Sequence, residues 1–196
     1  SVKMDRIPFV VAPYDAELFG HWWFEGPHWL ECVLRIASEK TNEVETISCS
    51  DYLNQSTSLQ TAMPSASTWG DQGYSDYWIN EANDWIYPFL HRAGADMEKL
   101  ASDFQGLMVK PLQERALNQA ARSILLAQAS DWPFIMKSGT TIDYAKKRMT
   151  DHLARFNYLH DSIRTNKIDE KYLSALEVMD NIFPNIDFRD YNPLEK

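Results

Sequence analysis

Apolar residues recur at helical spacing from Ile79 almost to the end of the chain. Four segments carry the pattern: "INEANDWIYPFLHRAGADMEKLASDF" (79–104), "VKPLQERALNQAARSILLAQAS" (109–130), "TTIDYAKKRMTDHLARFNYLHDSI" (140–163) and "DEKYLSALEVMDNIF" (169–183). Each predicts an amphipathic helix, and four such helices in succession predict a bundle. Pro88 marks a disturbance inside the first, and Thr140 or Thr141 supplies the cap of the third.

The N-terminal third reads differently. "IPFVVAPY" (7–14) is a continuous apolar run bounded by prolines, the pattern of a strand buried on both faces. "GPHWLECVLRIASEK" (26–40) has Pro27 near a helix start and helical spacing after it. "VETISCSDYL" (44–53) reads as a second short strand that ends in a helical turn capped at Ser50. Residues 54–78 are polar and rich in Ser, Thr, Gly and Gln, a composition that compact domains keep for binding surfaces or lids. One strand makes no sheet, so the first run is expected to be the last piece of a larger structure. The fold class is therefore mainly α, a helical bundle with a short β remnant at the N-terminus. The boundary is expected near residue 60, with residues 61–196 as a helical C-terminal domain. The chain opens on Ser1 rather than methionine, and the reading is of the C-terminal portion of a longer protein.

Composition narrows the partners. The formal charge of −9 disfavours nucleic acid, whose phosphates call for a basic surface. No run approaches the roughly 18 apolar residues of a membrane span, and the N-terminus lacks a signal-peptide layout, so the expectation is a soluble, cytoplasmic chain with no membrane partner. Cys32 and Cys49 show no metal-ligand spacing and read as reduced, buried thiols; neither metal nor cofactor is expected. The seven tryptophans suit a neutral partner, because an indole stacks on the C–H face of a sugar while the hydroxyls bond elsewhere. Packing in the core is the alternative for any one of them.

Candidate chemistry gathers in "PFVVAPYDAELFGHWWFEGPHWLECVLRIA" (8–37). In parallel sheets functional groups collect just past the C-terminal ends of strands, where Asp15 stands. Asp15 is a candidate acid or base, with a turn or helix cap as the alternative. Glu17 is too close in sequence to straddle a substrate bond with it and reads as orienting or structural. His21, between Gly20 and Trp22, either bonds a hydroxyl, orients Asp15 or serves structure alone.

"APYDAELFGHWWFEGPHWL" resembles the fourth signature segment of family 57 of the glycoside hydrolases, closest to its 1,4-α-glucan branching enzymes. "STWGDQGYSDYWINEANDWIY", "ILLAQASDWPFI" and the ending "IFPNIDFRDY" resemble the stretches that follow it there. The similarity covers nearly the whole chain. It implies a retaining double displacement on α-1,4-glucan, with Asp15 as the aspartate that protonates the leaving oxygen and His21 and Trp22 on the substrate. It also implies that residues 1–60 end a (β/α)7 catalytic barrel, and that the nucleophilic glutamate lies on a part of that barrel to which nothing in this chain corresponds. Trp69 and Trp78 match tryptophans lining the acceptor side of the cleft. Asp131 and Trp132 match residues facing the site; read from the residues alone, they are a helix-end cap and a core aromatic.

Overall fold

The computed structural model describes residues 8–39, 44–56 and 58–192. The chain divides into two compact units, Ser1–Pro64 and Ser65–Lys196. Regular structure among the described residues is entirely helical, which bears out the mainly α class and corrects one detail of it.

That detail is the β remnant. Residues 8–15 carry no regular structure, and neither do 44–48; Ile7, which opens the expected strand, lies outside the described residues. A strand needs partners for its N–H and C=O groups, and no ladder is present among the described residues to supply them. The apolar run is instead exposed, with Val10 at 85%.

In the first unit a single π-type turn, Leu18–Trp22, leads to helix α1 (Gly26–Ala37). Pro27 occupies the first turn of α1, where its missing N–H costs nothing. Helix α2 (Cys49–Gln55) is capped by Ser48, not Ser50: the Ser48 hydroxyl accepts from the Asp51 N–H at 3.1 Å. Cys32 is half-buried, whereas Cys49, at the start of α2, is exposed rather than buried; both thiols are free. Gly26 is the one described residue of this unit that is buried. A Cβ there would stand 2.8 Å from the Trp23 ring, so only glycine lets that indole lie on the helix start.

The second unit holds a genuine core. Helices α3 (Tyr87–Asp103), α4 (Pro111–Ala127), α5 (Asp131–Ser138), α6 (Ile142–Arg164) and α7 (Glu170–Met179) are followed by a 3-10 turn, Phe188–Tyr191. Pro88 does not disturb α3; it sits in the first turn and helps to start it, as Pro111 does for α4. Helix α6 buries Ala145, Met149, His152, Phe156, Leu159 and Ile163 at alternating spacings of four and three. That stripe meets α4, whose buried Ala116, Ala120, Ala121 and Ala127 let the two backbones approach closely. Thr141 is the N-cap residue of α6 by position, without a side-chain capping bond. Helix α5 falls between the four expected helices. It is only eight residues long and stops at Gly139 with φ of 81°, too short for a periodic pattern to show.

His152 is a buried polar group within the α6 stripe. His152 Nε2 accepts from the Arg148 guanidinium at 3.1 Å, and Arg155 donates to both oxygens of buried Asp180 at 2.9 and 3.1 Å. Burial lowers the His152 pKa; Asp180 opposes that shift, while Arg148 and Arg155 reinforce it. Arg148 also lies 5.7 Å from the Trp132 ring centre, in cation–π range.

Candidate functional site

The sequence candidates fall into two groups, one in each unit. Asp15 is exposed, and its carbonyl accepts from the Leu18 N–H at 3.2 Å to open the π-type turn. That turn is closed by the Trp23 N–H on the Leu18 carbonyl at 2.8 Å, an i to i−5 bond of a kind frequent at functional positions. It separates the two adjacent tryptophans. Trp23 turns onto Phe19 (5.9 Å between ring centres) and Trp29 (5.1 Å) above Gly26. Trp22 is 76% exposed, with His21 at 5.3 Å as its ring neighbour. Glu17 is exposed as well. Of this stretch, Trp23 is therefore structural, whereas Asp15, His21 and Trp22 present their side chains outward.

In the second unit Trp69 and Trp78 come together, their rings edge to face at 89° and 5.5 Å apart. Sequence reasoning missed the other two members of this group, Tyr77 and Phe134. Trp69 lies 6.0 Å from Tyr77 and 5.9 Å from Phe134, and Tyr77 stacks on Phe134 at 4.9 Å and 17°. The available signal was "SDWPF": Phe134 stands three residues after Asp131 on α5, on the same helical face.

The loop that carries Trp69 is tied down by its own polar atoms. Thr68 donates its hydroxyl to the Tyr74 carbonyl and its N–H to the Gly73 carbonyl, both at 2.6 Å, and accepts at the hydroxyl from the Gly70 N–H at 3.1 Å. Gly73 has φ of 82°, and a Cβ on Gly70 would meet the Trp78 ring at 3.0 Å. Gly73 supplies the left-handed turn, and Gly70 lets the Trp78 ring lie close under the chain. The Tyr87 hydroxyl donates to the Trp78 carbonyl, and burial raises its pKa, so it remains a donor at neutral pH. With these bonds Trp69 stays 76% exposed while its base is fixed.

Asp131 is exposed at the first turn of α5, with Ser130 as N-cap residue. Trp132 is a core aromatic: it is 9% exposed, its indole N–H donates to the Leu126 carbonyl at 2.8 Å, and it lies against His152 at 6.5 Å between ring centres. No group of three or more His, Cys, Asp or Glu that could hold a metal ion occurs among the described residues, and no described helix is long and apolar enough to cross a membrane.

A helical second unit with an aromatic platform on a stapled loop defines a class, and comparison with known proteins names it. Residues 89–191 match the family described as "1,4-alpha-glucan branching enzyme, C-terminal", and the chain belongs to that family. It is 36% identical over 187 residues to the 1,4-alpha-glucan branching enzyme of Thermococcus kodakarensis, covering 92% of this chain and 27% of the relative. Among solved structures, the family 57 branching enzyme of the same archaeon, crystallised with glucose and additives, superposes with a TM-score of 0.77 at 36% identity, over 95% of this chain and 34% of that one. The alpha-amylase AmyC of Thermotoga maritima gives a TM-score of 0.71 at 38% identity, over 95% and 34%. The chain thus spans about a third or less of the length of the proteins it matches.

Proposed function

We propose that this chain is the C-terminal part of a retaining α-glucan branching enzyme, which cleaves an α-1,4 link and passes the glucan to a 6-hydroxyl. The observation that carries the reading is the supported, outward-facing Trp69 with Trp78 at its edge. Branching differs from hydrolysis in needing a second glucan chain held until its hydroxyl, rather than water, takes the glycosyl group. An indole plane serves a sugar and does nothing for water.

In this reading residues 1–60 close the catalytic barrel, and Asp15 protonates the departing oxygen and then takes the proton of the incoming hydroxyl. His21 and Trp22 bind glucan beside it, and Asp131 borders the acceptor side, while buried Trp132 supports it from the core rather than touching glucan. A retaining site needs a second carboxylate about 5 to 5.5 Å from the acid. On this reading the nucleophile belongs to barrel segments that have no counterpart here, and the chain by itself is expected to form no new linkages. The test is to incubate amylose with the purified chain and with the longer enzyme that contains it, and to measure α-1,6 linkages. Linkages from the chain alone would overturn the split-site account.

A second reading, hydrolysis, rests on the 38% identity to the Thermotoga alpha-amylase. Release of reducing ends from amylose by the longer enzyme, without new α-1,6 linkages, would select it. A third, a helical module that binds glucan without chemistry, would be selected by glucan binding in a longer protein with neither activity.

A further inference from the structure

We infer that Asn83 is the positioning residue of the aromatic platform, the group through which the helical core sets the orientation of Trp69 and Trp78. The inference rests on the platform reading above for its purpose, but on separate geometry for its mechanism. Asn83 is completely buried, at 0% exposure. Its side-chain amide nitrogen donates to the Tyr77 carbonyl at 2.9 Å and to the Pro133 carbonyl at 3.0 Å, and its oxygen accepts from the Asn80 N–H at 2.9 Å. Both N–H donors and one acceptor site are used, so the amide has one way to sit.

The two carbonyls it joins are 56 positions apart and lie at the two sides of the platform. Tyr77 is itself a platform ring and precedes Trp78. Pro133 precedes Phe134, whose ring lies against both Tyr77 and Trp69. One side chain therefore fixes the separation between α5 and the loop, and with it the stack on which Trp69 leans. The anchor on the core side is firm: Trp132 and Met136, on either side of this pair in α5, are both buried. Without the Asn83 amide the Tyr77 carbonyl keeps only the longer bond from the Asn80 side chain, at 3.5 Å, and nothing ties it to Pro133, a loss large enough to move a loop but confined to this junction.

The test substitutes Asn83→Asp, which keeps shape and the accepting oxygen but leaves at most one O–H donor where the amide had two N–H donors, so the two carbonyls are no longer bridged. The whole chain is labelled with 5-fluorotryptophan, and the Trp69 fluorine resonance is assigned by its loss in Trp69→Phe. In Asn83→Asp that resonance is expected to shift or broaden. In Leu173→Ala, a core change in α7 of comparable or greater cost to stability, it is expected to stay in place. An unmoved Trp69 resonance in Asn83→Asp overturns the inference. Should Asn83→Asp not fold, Asn83→Ser leaves a short hydroxyl in place of the amide, too short to reach both carbonyls, and is read in the same way. There, too, an unmoved resonance overturns it.

Activity in the longer enzyme separates this inference from the reading it rests on. Asn83→Asp is expected to lower the ratio of branching to hydrolysis roughly tenfold, equivalent to about 1.4 kcal/mol, whereas Leu173→Ala leaves the ratio unchanged. A ratio that falls in Trp69→Ala but not in Asn83→Asp defeats the positioning role and spares the platform. A ratio unchanged in Trp69→Ala defeats the platform reading, while a shifted fluorine signal still upholds Asn83 as the residue that orients the rings.

Discussion

Trp22 and Trp69 are equally exposed, at 76% each, yet they stand on different foundations. Trp22 has its chain neighbour His21 as ring partner among the described residues, on a unit whose one buried described residue is Gly26. Trp69 leans on three rings, one of them on α5, above a loop tied by Thr68 and locked by Asn83. The pair shows that exposure identifies candidate binding surface, while preorganisation comes from what lies beneath it. A ring already held in place loses little entropy when it stacks on a ligand. The same contrast runs through the units as wholes, one an aromatic stretch with the exposed Asp15 before it, the other a packed bundle beneath a cluster of rings.

Four measurements break or sharpen that contrast. The largest effect is expected in the first unit. In the longer enzyme Asp15→Asn should lower the rate by several orders of magnitude, at the upper end of the roughly 10^2 to 10^4-fold given by general acid–base catalysis, with little change in glucan binding. A loss confined to KM would make Asp15 a binding residue. Next comes the core: Phe156→Ala, at a fully buried position of α6, should cost about 3–5 kcal/mol in urea unfolding followed by circular dichroism. Phe24→Ala, at 96% exposure, should change it by about 0.5 kcal/mol or less. Equal costs would mean that the first unit has packing of its own.

The platform comes third. Trp69→Ala or Trp78→Ala should reduce branching roughly tenfold more than hydrolysis in the longer enzyme, a difference of about 1.4 kcal/mol. An equal fall in both activities would assign the rings to folding or general binding instead.

The smallest effect is a pH dependence confined to the second unit. Folded His152 holds a proton less readily than the unfolded chain, because it is buried and its Nε2 lone pair already accepts from Arg148, with Arg155 also nearby and Asp180 in partial opposition. Its contribution is complete above the ordinary histidine value of about 6.5. It declines as pH falls below that value toward the lowered folded pKa, by at most about 1.4 kcal/mol per pH unit. Unfolding free energy measured at a series of pH values should show this slope in the unaltered chain and a flatter one in His152→Gln. Identical slopes would remove His152 from the account.

The helical bundle was legible because α3, α4, α6 and α7 each bury one stripe, and a stripe leaves its period in the sequence. The helix starts were legible where proline marked them, although Pro88 looked like a break until its place in the first turn was known. The strands were not: "PFVVAPY" has the composition of a buried strand, but whether it pairs depends on partners elsewhere. Resemblance singled out Trp69 and Trp78, and their rings do lie together. Tyr77, Phe134 and Asn83 were not legible, because an asparagine between two turns has no periodic signature and Phe134 belongs to a helix too short to show one.

The sequence by itself therefore determined what local physics can encode: the helical period, the proline starts, the acidic balance and the density of tryptophan. Only the tertiary structure decided that Trp23 packs while Trp22 faces outward, that Trp132 is core, and that Asn83 joins the Tyr77 and Pro133 carbonyls. Those outcomes follow from which backbone groups and rings lie within bonding distance once the helices have packed. Residues 56 positions apart share no local pattern from which that meeting could be read.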